Sequence, residues 1–410
     1  MTGQIGNTPP SAAGTKRPFR VLMIAPTSFF SDYGGHIRIL EETRTLQSMG
    51  HEVAIVTYYK GSNMPGLDIR RTPPLPWRAE YEVGSSRHKI AFDVYLAVQS
   101  LIECLRYRPD VIHGHMHEGA LIGGVLARLL HVPLVFDFQG SMTAEMVDHR
   151  FLNPNSRIYH WVFRLERRIN RMADAILTSS QRAAHVLQEQ FGIAPDQIYP
   201  LPDCADTQSF DPARFSPESR QQLRRQLGIP DGRPVVAYLG LLTNYQGTPH
   251  LIEAAAQLKR AGEDVHFLVM GYPSVDYYQK MAQRAGVADC VTFTGKVEYR
   301  DAPRYLSLGD VAVAPKISST EGSGKLLNYM AMGQPVVAYD TAVHREYLDD
   351  LGVYVPVGDK NGFAEAIKTL IRDQERRTCL GRALRQRALQ QYSWQIAGDH
   401  IVALYQMLTG

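Results

Sequence analysis

The sequence predicts an α/β chain of two doubly wound domains, each built on a parallel sheet. Three observations point there. The chain has 410 residues, which at roughly 150 residues per domain allows two to three independent cores. From Arg20 onward, short β-branched runs alternate with amphipathic stretches of helical length. Those runs do not alternate apolar with polar, so both faces of each strand are expected to be covered by helices.

Composition narrows the function. The chain is 44% hydrophobic and 21% charged, an ordinary globular balance. No uncharged apolar run approaches the roughly 18–20 residues a membrane span needs. The 44 Lys+Arg and 41 Asp+Glu leave a net charge of +3, which gives no basis for a dedicated nucleic-acid binder. Cys104, Cys204, Cys290 and Cys379 are far apart and form no CxxC pair. That excludes a cysteine zinc site and a dense disulfide framework, and it fits a reducing, cytoplasmic compartment.

Taken in order, residues 1–18 are rich in Gly, Pro, Ser and Thr and are expected to be a disordered tail, not a signal peptide. An N-terminal domain over 19–204 is expected to hold strands at 21–25, 53–58, 110–113, 133–138, 175–178 and 198–201. Helices at 37–49 and 120–130 would supply crossovers. Residues 202–219, with Pro202, Pro212 and Pro217, suit an inter-domain linker. A C-terminal domain over 205–385 is expected to hold strands at 234–240, 265–271, 291–295, 311–315, 335–339 and 353–355. The tail from 374 is helical in pattern and carries Trp394 and Tyr405, with 386–410 set apart as a terminal segment. No repeat of 20–50 residues is evident. Open parallel sheets bind ligands beyond the carboxyl ends of their strands. Residues just after strands are therefore the ones to read for chemistry, with the cleft between the domains as the default site.

Gly34 and Gly35 follow the first strand and open a helix. They would let a ligand approach the backbone, or simply permit a tight turn. There is no GxGxxG, which disfavours a nicotinamide or flavin site. His113, His115 and His117 alternate at a strand end. Period two would put them on one side as in a metal site, but the run is expected to leave the strand near Gly114 and break that face. His115 or His117 would then line a cleft. Asp137, Gln139, Ser141 and Glu145 gather after the next strand, suited to binding a hydroxyl or moving a proton. Equally, Ser141 caps a helix whose first turn holds Glu145.

Over 157–172, Ile158, Trp161, Val162, Leu165, Ile169 and Met172 share one helical stripe beside Arg157, Arg164, Arg167, Arg168 and Arg171. Peripheral membrane contact is one reading, and a core helix with a solvated basic flank is the other. In the second half, Gly240 to Gly247 form a loop between a strand and a helix, placed to offer backbone N–H groups to an anion or to make an ordinary turn. The densest signal runs from Lys316 to Gly333. There Lys325, flanked by Gly324 at a helix start, combines a cation with N–H donors and favours a diphosphate. The segment is not a P-loop, since Leu326 stands where Ser or Thr belongs. Asn328, one turn on, is placed for a sugar hydroxyl.

Gly34-Gly35, "GHEVAIVT" from Gly50, "DVIHGH" from Asp110, "GLLTNYQG" from Gly240, "KLLNYMAMGQPVVA" from Lys325 and "YSWQIA" from Tyr392 stand in the right order. Together they resemble the retaining glycosyltransferases of family 4, over nearly the whole chain. The resemblance implies a GT-B fold: two Rossmann-like domains facing a cleft, nucleotide-sugar bound mainly by the second, and a last helix that crosses back to the first. It also implies metal-independent transfer with front-face attack assisted by the leaving phosphate. The chain departs from the family at several positions. Leu241 and Gln246 stand where an Arg and a Lys usually hold the diphosphate, and YQG replaces the usual KG loop. Thr320 and Asn328 replace the paired glutamates, with Glu321 one place off, and Gln139 replaces a histidine. A variant subgroup shares such changes.

The resemblance thus assigns Lys325, Glu321 and Gln139 to catalysis. Gly240, Thr243, Gln246, Gly247, Gly271, Ser323, Gly324, Lys325, Leu326 and Asn328 are assigned to the donor. Gly34, Gly35, Arg38, His115, Ser141 and Glu145 are assigned to the acceptor. No metal and no cofactor is expected beyond a nucleoside diphosphate sugar as substrate. The acceptor hydroxyl would belong to a glycan, a lipid-linked saccharide or a small metabolite, as in polysaccharide biosynthesis. The rivals are a nucleotide-sugar-binding protein without transfer activity and a GT-B epimerase.

Overall fold

The computed structural model describes residues 17–30, 34–74, 89–148, 151–317 and 323–410. The chain divides into two compact units, one running to Asp203 and including Trp394–Gly410, the other Cys204–Ser393.

The first unit is built on seven strands: β1 (Arg20–Ala25), β2 (Glu52–Thr57), β3 (Asp68–Arg71), β4 (Val111–His115), β5 (Leu134–Phe138), β6 (Ala175–Thr178) and β7 (Ile198–Pro200). They pair in the order β3-β2-β1-β4-β5-β6-β7, every pair parallel. Five carry the expected apolar runs and are buried almost throughout. The edge strand β3 reads Asp-Ile-Arg-Arg, so it has no apolar run to betray it; charge on an edge strand discourages pairing with another chain. Helix Lys89–Tyr107 is a further element outside the expected set.

One detail corrects the sequence reading. β4 runs one residue past Gly114 to His115 before the chain leaves the strand: Gly114 pairs with Ile24 and Phe136, and His115 with Asp137. His113 and His115 therefore share a face, with rings stacked 4.7 Å apart. Gly114 serves close packing instead, since a Cβ there would lie 2.8 Å from the Gly119 backbone in the following helix.

The second unit holds β8 (Val235–Leu239), β9 (His266–Met270), β10 (Val291–Gly295), β11 (Val311–Ala314), β12 (Val336–Tyr339) and β13 (Val353–Val355). Their order is β10-β9-β8-β11-β12-β13, again all parallel. The expected linker is partly ordered structure: Phe210 is buried in the core of this unit, and Ser216 caps a helix over Pro217–Gln226. Helix Gln374–Gln391 packs on helix Lys325–Ala331. The next helix, Trp394–Thr409, lies against helix Gly34–Ser48 in the first unit; a Cβ on Gly398 would overlap Thr45. The division therefore falls at Ser393, not at residue 385, because the helix before it stays with the second unit.

In each sheet the strand order reverses once, between β1 and β4 and between β8 and β11. Those switch points open a crevice at the strands' carboxyl ends.

Candidate active site

In the second unit, β8 runs into the loop Gly240–Gly247. Three glycines there answer to close approach. A Cβ on Gly271 would overlap Gly240 O, one on Gly247 would overlap Pro315 O, and one on Gly240 would lie 2.9 Å from Lys325 Nζ. Gly247 also has φ +78°, a conformation glycine adopts without strain. Its N–H donates to Asn244 O at 3.0 Å, and the Thr248 N–H donates to Thr243 O at 3.3 Å. These donors close the turn, so Gly247 shapes the loop and does not aim its own N–H at an anion, as the sequence suggested. Thr243 N–H is likewise held by Thr248 Oγ1 at 3.1 Å, while Thr243 Oγ1 is buried without a hydrogen bond.

Lys325 joins the two loops of this crevice. Its ammonium donates to Gln246 Oε1 at 2.8 Å and lies 3.4 Å from the Tyr238 hydroxyl and 4.5 Å from that ring's centroid. Cation–π attraction and an amide dipole hold the charge at the carboxyl end of β8. Gln246 is itself buried. Position 246, where the resemblance expects a cation, thus supplies the oxygen that locates the cation from position 325.

Ser323 is buried beneath this lysine, its hydroxyl 3.3 Å from His344 Nε2. His344 Nδ1 lies 2.6 Å from Tyr339 O. A carbonyl only accepts, so Nδ1 carries the proton and the Ser323 hydroxyl donates to Nε2. Burial, with the positive charges of Lys325 and Lys316 nearby, pushes His344 down to about 4. Lys316 is only 2% exposed. The sequence reading passed over it, although it stands just beyond the carboxyl end of β11, where the rule for parallel sheets says to look.

Among the other donor assignments, Asn328 is half-buried one turn after Lys325, and Gly324 is exposed beside it. Leu326 is different. Its side chain is wholly buried in the core and its N–H donates to Ser323 O, so it supports the loop and offers no side-chain contact. Glu321 lies outside the described residues, as does Thr320.

In the first unit, helix Gly34–Ser48 brings Arg38 under the carboxyl end of β5. Arg38 is 2% exposed. Its guanidinium meets Asp137 at 2.9 Å, Glu42 at 3.0 Å and Asp203 at 3.0 Å, and donates to Leu201 O at 3.1 Å. His115 is fully buried, with Nδ1 donating to Asp137 at 3.1 Å and Nε2 lying 4.0 Å from Glu42. His113 is hydrogen-bonded to the Tyr405 hydroxyl at 2.8 Å. Arg38 and His115 therefore do not line an open surface as expected. They form a buried ionic cluster, because the helix's first turns face the sheet.

Burial shifts these groups strongly. It raises Glu42 to about 7 against the pull of Arg38. Burial also acts to raise Asp137, but Arg38 and the hydrogen bond from His115 outweigh it and hold Asp137 well below the usual carboxylate range. His113 is kept neutral by burial and by its neighbour His115. Ligand-type atoms of Glu42, His113 and His115 lie within 4.8 Å of one another, with Arg38, Tyr405 and Asp137 engaging them in turn.

Gln139 sits on the outer side of this cluster, half-exposed. Its amide donates to Asp137 Oδ2 at 2.9 Å, and a Cβ on Gly35 would lie 3.0 Å from its Oε1. Gly35 thus makes room for the Gln139 amide. Ser141 caps helix Met142–Asp148 through Ala144 N at 3.2 Å, and Glu145 is exposed in the first turn. The N–H groups of Met142 and Thr143 donate to the buried carboxylate of Glu166, at 3.0 and 2.8 Å. Glu166 went unnoticed in the sequence because it falls inside an arginine-rich helix.

Two parallel-sheet units, each with one switch point, give the class of fold, GT-B. The chain covers 96% of its length against sucrose-phosphate synthase from Thermosynechococcus elongatus, with a TM-score of 0.76 at 19% identity and 99% of that chain covered. Against Anabaena HepE, solved with UDP and glucose, the TM-score is 0.75 at 16% identity, over 95% of this chain and 100% of the other.

The sequence families agree. Residues 34–209 match "Glycosyltransferase Family 4" and residues 219–387 match "Glycosyl transferases group 1". The chain is 29% identical to an alpha-D-kanosaminyltransferase of Streptomyces kanamyceticus, over 72% of this chain and 76% of the relative. It is 27% identical to a D-inositol 3-phosphate glycosyltransferase of Corynebacterium aurimucosum, over 91% of each. This protein is a glycosyltransferase, an enzyme that moves a sugar from a nucleotide-sugar donor.

Proposed function

We propose that the enzyme is a retaining, metal-independent hexosyltransferase of the YQG variant subgroup, in which Lys325 stabilises the leaving diphosphate. The observation that carries this is the ammonium of Lys325, held by Gln246 and Tyr238 at the carboxyl end of β8. Negative charge builds on the diphosphate as the glycosidic bond breaks. A fixed cation in a partly buried site then acts most strongly in the transition state. Lys316 adds to the same positive field, with the Ser323 hydroxyl fixed by the neutral His344. Glu321 and Asn328 would hold donor hydroxyls, and Thr243 offers a further polar atom. Attack would come from the face the leaving group departs, with the leaving phosphate taking the acceptor proton; the protein supplies position and charge.

On the acceptor side the reading rests on Gly35, Gln139, Ser141 and Glu145, with Arg38 and His115 as positioning residues behind Gln139 and Asp137. The acceptor is a hydroxyl. Of the two relatives named above, one by its name transfers an alpha-D-kanosaminyl group and the other glycosylates D-inositol 3-phosphate. The exposed side chains Ile158 and Trp161 beside the arginines of 157–172 favour instead a lipid-linked saccharide, reached from the cytoplasmic face of a membrane.

A thermal-shift screen of uridine, guanosine, adenosine and thymidine diphosphate sugars identifies the donor, since a ligand bound only by the folded state raises its stability. Product analysis by NMR with that donor and short glycan or polyprenyl-linked acceptors should then show the donor's anomeric configuration kept, with chelator present. An inverted product, or activity lost to chelator, contradicts the mechanism. Binding without turnover favours a nucleotide-sugar-binding protein.

A further inference from the structure

Helices Lys89–Tyr107, Met116–Leu130 and Arg157–Asn170 lie side by side in the first unit, with the middle one packed against both others. Twelve of the nineteen large exposed apolar side chains among the described residues are on these three helices. On the first helix they include Ile90, Val94, Val98 and Leu105, all on one stripe. Leu121, Val125 and Leu129 form a stripe on the second, and Ile158, Trp161 and Leu165 on the third. Trp161 is 74% exposed. The stripe read over 157–172 is split: Ile169 is in the core and Met172 packs against it, while Ile158, Trp161 and Leu165 are exposed. Scattered exposed leucines need no explanation, but three adjoining stripes are more than an ordinary solvated surface carries.

The charges on the same helices are one-sided. Every exposed charged residue is an arginine: Arg106, Arg128, Arg157, Arg164, Arg167 and Arg168. The acidic residues are withdrawn or paired. Glu103 binds Arg70, Glu118 binds Lys89, Glu166 is buried, and Asp93 accepts from Tyr58. This bears on what covers the face. A two-fold pairing of copies would set the same patch against itself, arginine toward arginine, with no exposed carboxylate on these helices to receive them. An anionic bilayer supplies phosphate to the arginines and an acyl boundary to the apolar stripes. No described helix is long and apolar enough to span a membrane, so the contact is interfacial.

We infer that the outer face of this three-helix layer docks on an anionic bilayer, with helices Lys89–Tyr107 and Met116–Leu130 inserting alongside Arg157–Asn170. This rests on, and extends, the single-helix membrane contact proposed above. An enzyme seated this way would take a bilayer-resident acceptor.

The test uses the full chain with vesicles of phosphatidylcholine alone, or with about one third phosphatidylglycerol, followed by sedimentation at low and high salt. The wild type should pellet with the anionic vesicles only, less so as salt rises. The double variant Val98→Asp/Leu105→Asp, both positions already exposed, should lose at least about tenfold in partitioning even at low salt. Arg164→Glu/Arg168→Glu should lose binding as well. If the arginine variant loses binding while Val98→Asp/Leu105→Asp binds like wild type, the three-helix inference fails and the single-helix contact stands. No wild-type binding at low salt overturns both. A concentration-dependent dimer without lipid, abolished by Val98→Asp/Leu105→Asp, would make the face an interface between copies and overturn the inference. Circular dichroism and the thermal midpoint confirm that each variant is folded.

Discussion

At the carboxyl ends of β4 and β5, one arginine is enclosed by three carboxylates; at those of β8 and β11, a lysine is set against an amide oxygen and a phenol ring. Arg38 is neutralised where it stands, by Asp137, Glu42 and Asp203. Its work is to orient, through Asp137, the half-exposed Gln139. Lys325 is located by two neutral groups, the Gln246 amide oxygen and the Tyr238 ring and hydroxyl. Burial lowers the proton affinity of His344, and the charges of Lys325 and Lys316 lower it further. A charge at a strand end is informative only when its partners are known. Carboxylates make Arg38 scaffold; Lys325, set against neutral groups, is the residue proposed above to meet the donor.

The largest effect that separates the two should come from Arg38→Met. Removing the cation leaves the buried carboxylates of Asp137 and Glu42 crowded beside the partly exposed Asp203, and breaking a buried pair this way costs about 3–5 kcal/mol. Denaturant unfolding of the variant should show it; a loss under about 1 kcal/mol would mean the cluster is not held together by that charge. Next comes Gly247→Ala in the other unit. Positive φ and overlap with Pro315 O together predict a loss of about 1–3 kcal/mol, read from the unfolding midpoint, with donor affinity falling as the loop shifts. An unchanged midpoint would show that the turn can relax.

The pH dependence should have opposite sign in the two units. Burial raises Glu42 from 4.5 to about 7, so the stability it contributes is full below 4.5 and lost as pH rises through about 7. Burial first, then Lys325 and Lys316, lowers His344 from 6.5 to about 4. Its contribution is full above 6.5 and lost as pH falls through about 4. Between about 4.5 and 6.5, raising the pH should weaken the first unit and strengthen the second. Glu42→Gln should remove the first slope and His344→Asn the second, in unfolding curves taken across that range. Slopes of the same sign in both variants would contradict the assignment. The smallest effect is expected from Gln246→Lys, which sets a second ammonium where the family usually has one. With Lys325 present it should lower the transfer rate about a few-fold, because it removes the oxygen that locates that ammonium and adds a like charge beside it, and it should restore part of the rate in a Lys325→Ala background if both loops face the same phosphates.

Much of this was legible in the sequence, and the misses share a cause. Buried strands announce themselves as apolar runs, which is why β1, β8 and β12 stand within a residue or two of expectation. β3 and helix Lys89–Tyr107 did not, because a charged edge strand has no such run and a helix with apolar residues on most sides has a weak period. Lys325 lies beside Gln246 and Gly240, three positions that the resemblance assigned to the donor. Arg38 and His115 did not reach the surface, because residue type marks a charge without saying whether its neighbours cancel it. Lys316, His344 and Glu166 were missed for the same reason, since each matters through partners far away in sequence.

In the proposed mechanism Lys325 acts on the charge developing in the leaving diphosphate. The decisive measurement is kcat at saturating donor for wild type and Lys325→Ala, each checked for folding by circular dichroism. Loss of one charge-stabilising donor predicts a fall in kcat on the order of 10²–10³ with a smaller change in donor KM. A variant that keeps near-full kcat, or that loses only donor affinity, would contradict it.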